Sequence, residues 1–186
     1  MTTAATELDP SSHFAVMRTL EAAFTRAAGT GGVAAFRVGE PDDAGRVDWY
    51  IDLANGGVHH LQCVGGSGNG GGGTIGRNAD SIVYGPAPVL VPIPEVPVDG
   101  GRIRTADVEA WAAAVITHAA PVTDGQSWLQ GVERYSLRPE ERRQGHRFGI
   151  TARTHAGGGV YVYWTHATAR GQQPRGAAYS AVPDAV

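Results

Sequence analysis

The stretch VDWYIDLANGGVHHLQCV, residues 47–64, decides the fold of this chain. Apolar and polar residues alternate on both sides of Asn55-Gly56, and such alternation is typical of β-strands with one buried face. Asn-Gly is a strong signal for a two-residue type I′ turn, in which both residues have positive φ. The stretch therefore predicts a β-hairpin whose turn is closed by Ala54 and Gly57.

This turn sets an expected register for the two strands. The expected facing pairs are Asp52 with His59, Ile51 with His60, Trp49 with Gln62, and Asp48 with Cys63. The apolar face of the hairpin would then carry His60 and Gln62 beside Trp49 and Ile51. Polar groups on an apolar face are either hydrogen-bonded core residues or the polar floor of a pocket.

Two other segments have helical periodicity. Residues 12–28 place apolar side chains on one face, with candidate N-caps at Asp9, Ser11 and Ser12, and the helix should end at Gly29 and Gly31. Residues 106–119 follow Thr105 as the expected N-cap. Their apolar stripe consists of Val108, Trp111, Ala112, Val115, Ile116 and Ala119.

The remaining strands complete the expected sheet. Residues 33–38 form a short strand, and residues 146–155 and 160–168 form a second hairpin around Gly157 to Gly159. A slip of one residue in that hairpin would exchange Tyr163 and Trp164 between the two faces. Residues 127–137 are ambiguous and could hold a short helix that carries Trp128, Leu129 and Val132.

These elements predict an α+β fold, with a mainly antiparallel sheet of about five to six strands and two principal helices packed on one face. Residues 11–168 should form a single domain between an N-terminal tail, 1–10, and a loose C-terminal tail, 169–186. No internal repeat is visible.

Two segments inside the domain are unusual. Residues 65–73 are almost all glycine and should form a flexible loop. Residues 86–98, which we call the arm, have proline at 86, 88, 92, 94 and 97, so they cannot form a central strand. The arm is nevertheless apolar, and it should contact the body or a second chain through Val89, Leu90, Val91, Ile93 and Val96.

Composition excludes several classes of protein. All 15 basic residues among the 186 are arginine, so Schiff-base enzymes and lysine-dependent phosphate loops are excluded. The abundance of Ala, Gly, Arg and Pro is typical of a GC-rich genome, bacterial or phage. Cys63 is the one cysteine, so no intrachain disulfide is possible. We expect a cytoplasmic protein, because a reducing compartment fits and neither a signal peptide nor a membrane span is apparent.

No catalytic, cofactor or metal site is predicted. Gly68 to Gly73 match a dinucleotide-binding pattern only superficially, since no helix start follows them. His59 and His60 are adjacent on a strand and should point to opposite faces, and the spacing of His146, His155 and His166 matches no zinc motif. A carboxylate opposite Cys63 would raise the pKa of its thiol and disfavour a nucleophilic role.

Nucleic acid and membrane are not expected partners. The net charge is −3 at pH 7, and the densest basic patch, formed by Arg138, Arg142, Arg143 and Arg147, is nearly neutralised by glutamates. It also lacks the interleaved aromatic residues on which bases stack.

Residues 36–38 followed by residues 48–57 resemble the opening strands of sterol-carrier-like domains. The resemblance covers a small part of the chain and has no counterpart in its later part. It carries no residue and no activity over to this chain.

Two function classes remain. The first is a non-catalytic interaction or assembly protein, such as a subunit of a phage-type particle or a partner-binding immunity or adaptor protein, which would bind a protein partner or self-associate. The second is a carrier or secondary-metabolism enzyme that binds a small-molecule ligand in an apolar pocket between the sheet and the helices. That pocket would be lined by Trp49, His60, Gln62, Trp111 and Tyr163.

Overall fold

The computed structural model describes residues 13–40, 47–66, 77–78, 81–137, 146–155, 157–179 and 182–186. Several sequence expectations lie outside these ranges: the N-terminal tail with its candidate N-caps, most of the glycine loop, and the arginines between 138 and 143.

Two helices and ten strands make up the described chain. They are α1 (His13–Ala27), β1 (Val33–Val38), β2 (Asp48–Leu53), β3 (Val58–Gly66), β4 (Arg77–Asn78), β5 (Ser81–Ile82), β6 (Gly85–Pro86), α2 (Thr105–Ala119), β7 (Gln126–Ser127), β8 (Leu129–Arg134), β9 (Gly149–Thr154) and β10 (Gly159–Thr168). A 3-10 turn, Tyr135–Leu137, follows β8. Six strands form one antiparallel sheet in the order β1-β2-β3-β10-β9-β8, which curls into a half-barrel. The predicted α+β class is confirmed.

The structure contains a repeat that the sequence does not reveal. Helix α1 precedes β1, β2 and β3, α2 precedes β8, β9 and β10, and the last strands of the two halves pair at the centre of the sheet. Both hairpins also close alike: Leu53 N–H donates to Gly57 O, and Thr154 N–H donates to Gly158 O, each over 2.9 Å. The third loop residue is glycine in both, with φ of 84° at Gly56 and 86° at Gly157.

The predicted register of the first hairpin is wrong by one residue. Its loop has three residues closed by Leu53 and Gly57, and only its third residue, Gly56, has positive φ. Consequently Ile51 pairs with His59, Tyr50 with His60, Asp48 with Gln62, and Asp52 with Val58. Since side chains alternate along a strand, the slip moves His60 and Gln62 away from the face of Trp49 and Ile51.

Asn55 in this turn makes hydrogen bonds to residues that are distant in sequence. The Asn55 side chain accepts the Gly57 N–H over 3.0 Å and donates to the carbonyls of Gly101 and Val186 over 3.0 and 2.9 Å. The last residues of the chain thus hold the tip of the hairpin.

The second hairpin has the register that buries Trp164 and leaves Tyr163 on the opposite face. Trp164 Nε1 donates to His59 Nδ1 over 2.9 Å, which joins β10 to β3 inside the core. The sequence left open whether Tyr163 or Trp164 faces the core. The structure places Trp164 there, in contact with His59 of the other half.

Aromatic side chains from both layers form the centre of the core. Phe24 of α1 lies 5.0 Å from Phe36, 5.6 Å from Trp49 and 5.5 Å from Trp111, measured between ring centroids. The indole N–H of Trp49 donates to Glu21 Oε1 over 3.1 Å. The inner face of the sheet is therefore the one that carries Trp49, and both helices contribute to covering it.

Helix α2 begins one residue earlier than expected. Its N-cap is Arg104, which makes no side-chain capping bond, whereas the Thr105 hydroxyl donates to the carbonyl of Pro183 over 2.7 Å. The predicted stripe is buried except for Ala119, which is partly buried, and Glu109 is buried as well. The Glu109 carboxylate accepts the Gly149 N–H over 2.9 Å and lies 3.3 Å from Arg134 Nε, so its charge is paired.

Two further expectations need correction. Residues 129–134 form strand β8 rather than part of a short helix, because they pair along β9. The last residues of the C-terminal segment are also not loose. Ile103 and Val186 exchange two backbone hydrogen bonds, of 2.7 and 3.0 Å, and Thr105 N–H donates to Asp184 O over 2.8 Å.

The packing of Trp111 yields a stability prediction. Trp111 is 2% exposed, and Val108, Ala112 and Val115 beside it on the stripe are small. Trp111→Ala should therefore leave a cavity that its neighbours cannot fill, at a cost of about 3–5 kcal/mol in the free energy of unfolding. Trp111→Phe keeps most of the volume and should cost far less. Urea unfolding of both variants measures this, and equal costs would contradict it.

Candidate functional site

The five predicted pocket residues do not line one cavity. Trp49 and Trp111 are buried in the core between sheet and helices. His60, Gln62 and Tyr163 lie on the outer face of the sheet, away from Trp49, as the observed register requires. The sheet itself separates the two groups.

The recess that involves the outer face is small and polar. A cavity of about 230 Å³ is lined by His166, Ala167, Thr168, Gln172, Gln173 and Arg175, and we call it the tail groove. Its volume is below the roughly 300–1,000 Å³ typical of small-molecule sites. It therefore does not resemble the apolar pocket that a carrier would need.

His59 is a core residue. It is fully buried, and its Nδ1 accepts the indole N–H of Trp164, while Nε2 has no hydrogen-bond partner in the described chain. Burial lowers the pKa of His59 from 6.5 to about 3, with a smaller effect of the same sign from His60. The imidazole is therefore neutral at ordinary pH, and the hydrogen bond from Trp164 places its proton on Nε2.

Cys63 is not opposite Asp48, which pairs with Gln62 instead. Its thiol is buried and lies 3.0 Å from the sulfur of Met17. Burial raises the pKa of the Cys63 thiol well above its usual value, and Glu21 adds to the effect. A thiol held in its protonated form is a poor nucleophile.

The described ranges hold no cluster of three or more His, Cys, Asp or Glu side chains that could bind a metal ion. His59 and His60 point to opposite faces, as the sequence predicted. No helix in the described part is both long and apolar enough to cross a membrane.

One row of side chains on the outer face crosses four strands and contains three aromatic rings. It consists of Arg37, Tyr50, His60 and His166, paired in that order across β1, β2, β3 and β10. The Tyr50 and His60 rings are 5.2 Å apart, and the His60 and His166 rings are 6.2 Å apart. Arg37 lies 4.8 Å from the Tyr50 ring centroid and makes a bidentate contact with Asp52 at 2.6 and 2.7 Å.

A second aromatic group surrounds Tyr163. His146 stacks on its ring at 4.4 Å, and Tyr135 and Tyr179 each lie 6.2 Å from it. Burial raises the pKa of the Tyr163 phenol, and the neighbouring tyrosines add to this effect. The Tyr179 hydroxyl donates to Gln62 Oε1 over 2.6 Å. Its three tyrosines are partly exposed, like Tyr50, His60 and His166 of the first row, whereas His146 is buried.

Tyr179 has φ of 71°, in the left-handed region that non-glycine residues seldom occupy. Its N–H donates to the carbonyl of Thr165 over 2.9 Å, so the outer face holds this residue through both backbone and side chain. The C-terminal segment is thereby fixed beside the tail groove.

The arm exposes most of its apolar side chains. Val89 is 86% exposed, and Leu90, Val91 and Ile93 are also exposed, whereas Val96 is 2% exposed and belongs to the core. Residues 87–98 form neither helix nor strand. Of the five predicted arm residues, one anchors the arm and four face outward.

The arm is nevertheless tied to the body at intervals. The imidazoles of His155 and His118 donate to the carbonyls of Pro86 and Val91 over 3.2 and 2.7 Å. Further along, Gly32 N–H donates to Val96 O over 2.7 Å. The four exposed apolar residues of the arm form a ridge, Val89, Leu90, Val91 and Ile93, which these bonds hold in place without any partner.

No family model, curated protein or solved structure matches this chain. The assignment of a function therefore depends on the surfaces described above.

Sequence reasoning missed the residues that build the outer face. Tyr50 and His166 were not singled out as a pair with His60, because the predicted hairpin register put His60 on the other side of the sheet. The alternation of apolar and polar residues in the first hairpin could have found them. It gives the observed register if the loop has three residues instead of two. No local signal places Arg175 or Tyr179 beside these strands, because they come from the C-terminal segment.

Acid should destabilise the fold through His59. In the unfolded chain, His59 has its ordinary pKa of 6.5 and binds a proton below that pH. In the folded chain, its pKa is about 3, so it stays neutral down to that pH. This contribution to stability is complete above pH 6.5 and is lost as the pH falls toward 3. The loss should be about 1.4 kcal/mol per pH unit.

The measurement compares the natural chain with His59→Gln, in which the glutamine retains an acceptor for the Trp164 indole. Between about pH 7 and about pH 4.5, the free energy of unfolding should fall by about 3 kcal/mol more in the natural chain. Parallel pH profiles of the two proteins in urea unfolding would show that His59 does not carry this dependence.

Proposed function

We propose that this chain is a non-catalytic interaction or assembly protein, and that it binds a second protein chain through the arm. The observation that carries the proposal is the ridge of Val89, Leu90, Val91 and Ile93, which is exposed although the arm is tied to the body. Contiguous exposed apolar side chains mark interaction sites in proteins that must remain soluble.

The contacts that hold the arm on the body favour association. Binding orders the side chains and backbone at an interface, and a segment already held in its bound shape loses less entropy. Val96 in the core and the bond from His118 to Val91 hold the arm before any partner arrives. A merely loose segment would gain little from such contacts.

Side chains rather than backbone groups should carry the recognition. Proline at 86, 88, 92, 94 and 97 removes backbone donors along the arm, so a partner strand could form only an incomplete ladder. The partner surface should therefore be apolar or aromatic. The partner available to the purified chain is a second copy of itself.

The test is a double arm variant, Val89→Asp with Leu90→Asp. We expect the molar mass of the natural chain, measured by light scattering over a concentration series, to rise above the 19.4 kDa of one copy. The double variant should remain at one copy, because each charge would have to be desolvated at the interface. Its melting temperature should be unchanged, since both side chains are exposed.

Leu137→Asp is the matched control, because Leu137 is also an exposed leucine but lies outside the arm. It should associate like the natural chain. A natural chain that stays at one copy throughout the series, or a double variant that associates normally, would contradict the proposal.

A further inference from the structure

The arm requires a partner surface of a particular kind. Prolines hold φ near the polyproline value and leave the backbone without donors at five of the positions from 86 to 97. Extended proline-rich segments of this kind are recognised by grooves lined with aromatic rings, which contact the flat proline rings and the aliphatic side chains between them.

The outer face of the same chain offers such a surface. Tyr50, His60 and His166 form a continuous row of rings, with 5.2 and 6.2 Å between successive centroids. All three are partly exposed, and they lie on the outer face of the sheet, opposite to the face that α1 and α2 cover. His166 also forms one wall of the tail groove, so the row leads directly into a cavity of about 230 Å³.

The charges of the two surfaces are complementary. Glu95 on the arm is exposed, and Arg175 lines the tail groove. Neither has an ion-pair partner within the described ranges. A carboxylate on the arm and a guanidinium in the groove would fix the direction in which the arm lies.

We infer that the arm of one copy docks along the row of rings and the tail groove of a second copy. In this contact Glu95 lies beside Arg175 of the second copy. This inference rests on the proposed function, since it names the surface that receives the arm. The contact joins two different surfaces, so it is heterologous. Two copies joined by one such contact still present one free arm and one free groove, so further copies add head to tail into a ring or an open filament.

The experiment combines two variants that are damaged on opposite sides of the contact. The arm variant is Val89→Asp with Leu90→Asp, and the groove variant is His166→Asp with Arg175→Glu. Each alone should stay at one copy in light scattering. An equimolar mixture should form a complex of one copy of each and grow no further, because the mixture holds one intact arm and one intact groove per pair.

A charge exchange tests the pairing of Glu95 with Arg175. Glu95→Arg and Arg175→Glu should each weaken association by about fivefold, the scale of an exposed ion pair. The chain that carries both changes should regain the association of the natural chain. Arg18→Glu makes the same charge change on α1 and should leave association unaltered. Failure of the double exchange to restore association would overturn the pairing.

The outcomes separate the inference from the proposed function. If the arm variant associates normally, both are wrong. If the arm variant stays at one copy but the groove variant associates normally, the arm binds elsewhere, and only this inference is wrong. If both variants fail alone and their mixture also fails, one intact arm and one intact groove do not suffice for the contact, and this inference is again wrong. Thermal unfolding of each variant shows that it is folded.

Discussion

The antiparallel pairing of β3 with β10 is the interaction on which the rest of the structure depends. It joins residues 58–66 to residues 159–168 and thereby unites two halves of the same α-β-β-β order. The hydrogen bond from Trp164 to His59 lies in the core between these strands. Because a slip of one residue would turn every side chain of a strand to the other face, this one pairing decides both what fills the core and what forms the outer face.

Buried polar groups add specificity to this arrangement. Glu109 lies among the apolar residues of α2 and accepts hydrogen bonds from the backbone of Gly149 and Ser136, at 2.9 and 3.3 Å. With the nearby guanidinium of Arg134, these bonds satisfy a carboxylate that would be costly to bury alone. Helix α2 is thus tied to β9 and to the turn after β8 at one position, and the second half of the sheet acquires a defined place on the helix.

The two surfaces proposed for association have different origins. The arm is apolar because of its own sequence and is presented by local anchors such as Val96. The outer face is assembled from β2, β3 and β10 and from a C-terminal segment held by Tyr179. Two complementary surfaces on one chain could also bind each other within that chain. They bind between copies only if the arm is held away from the groove of its own chain. The bonds from His118 and His155 to the arm hold it on the body.

The sequence by itself determined the local elements: both helices, both hairpins, the α+β class and the apolar arm. Each depends on a short pattern, such as the stripe around Trp111 or the alternation around Asn55-Gly56, that reports which residues are near one another along the chain. Only the tertiary structure decided the hairpin register, the side on which His60 lies, the burial of Glu109 and the docking of Val186 beside Asn55. These depend on partners that are distant in sequence, and a period of two residues makes an error of one residue enough to reverse the face.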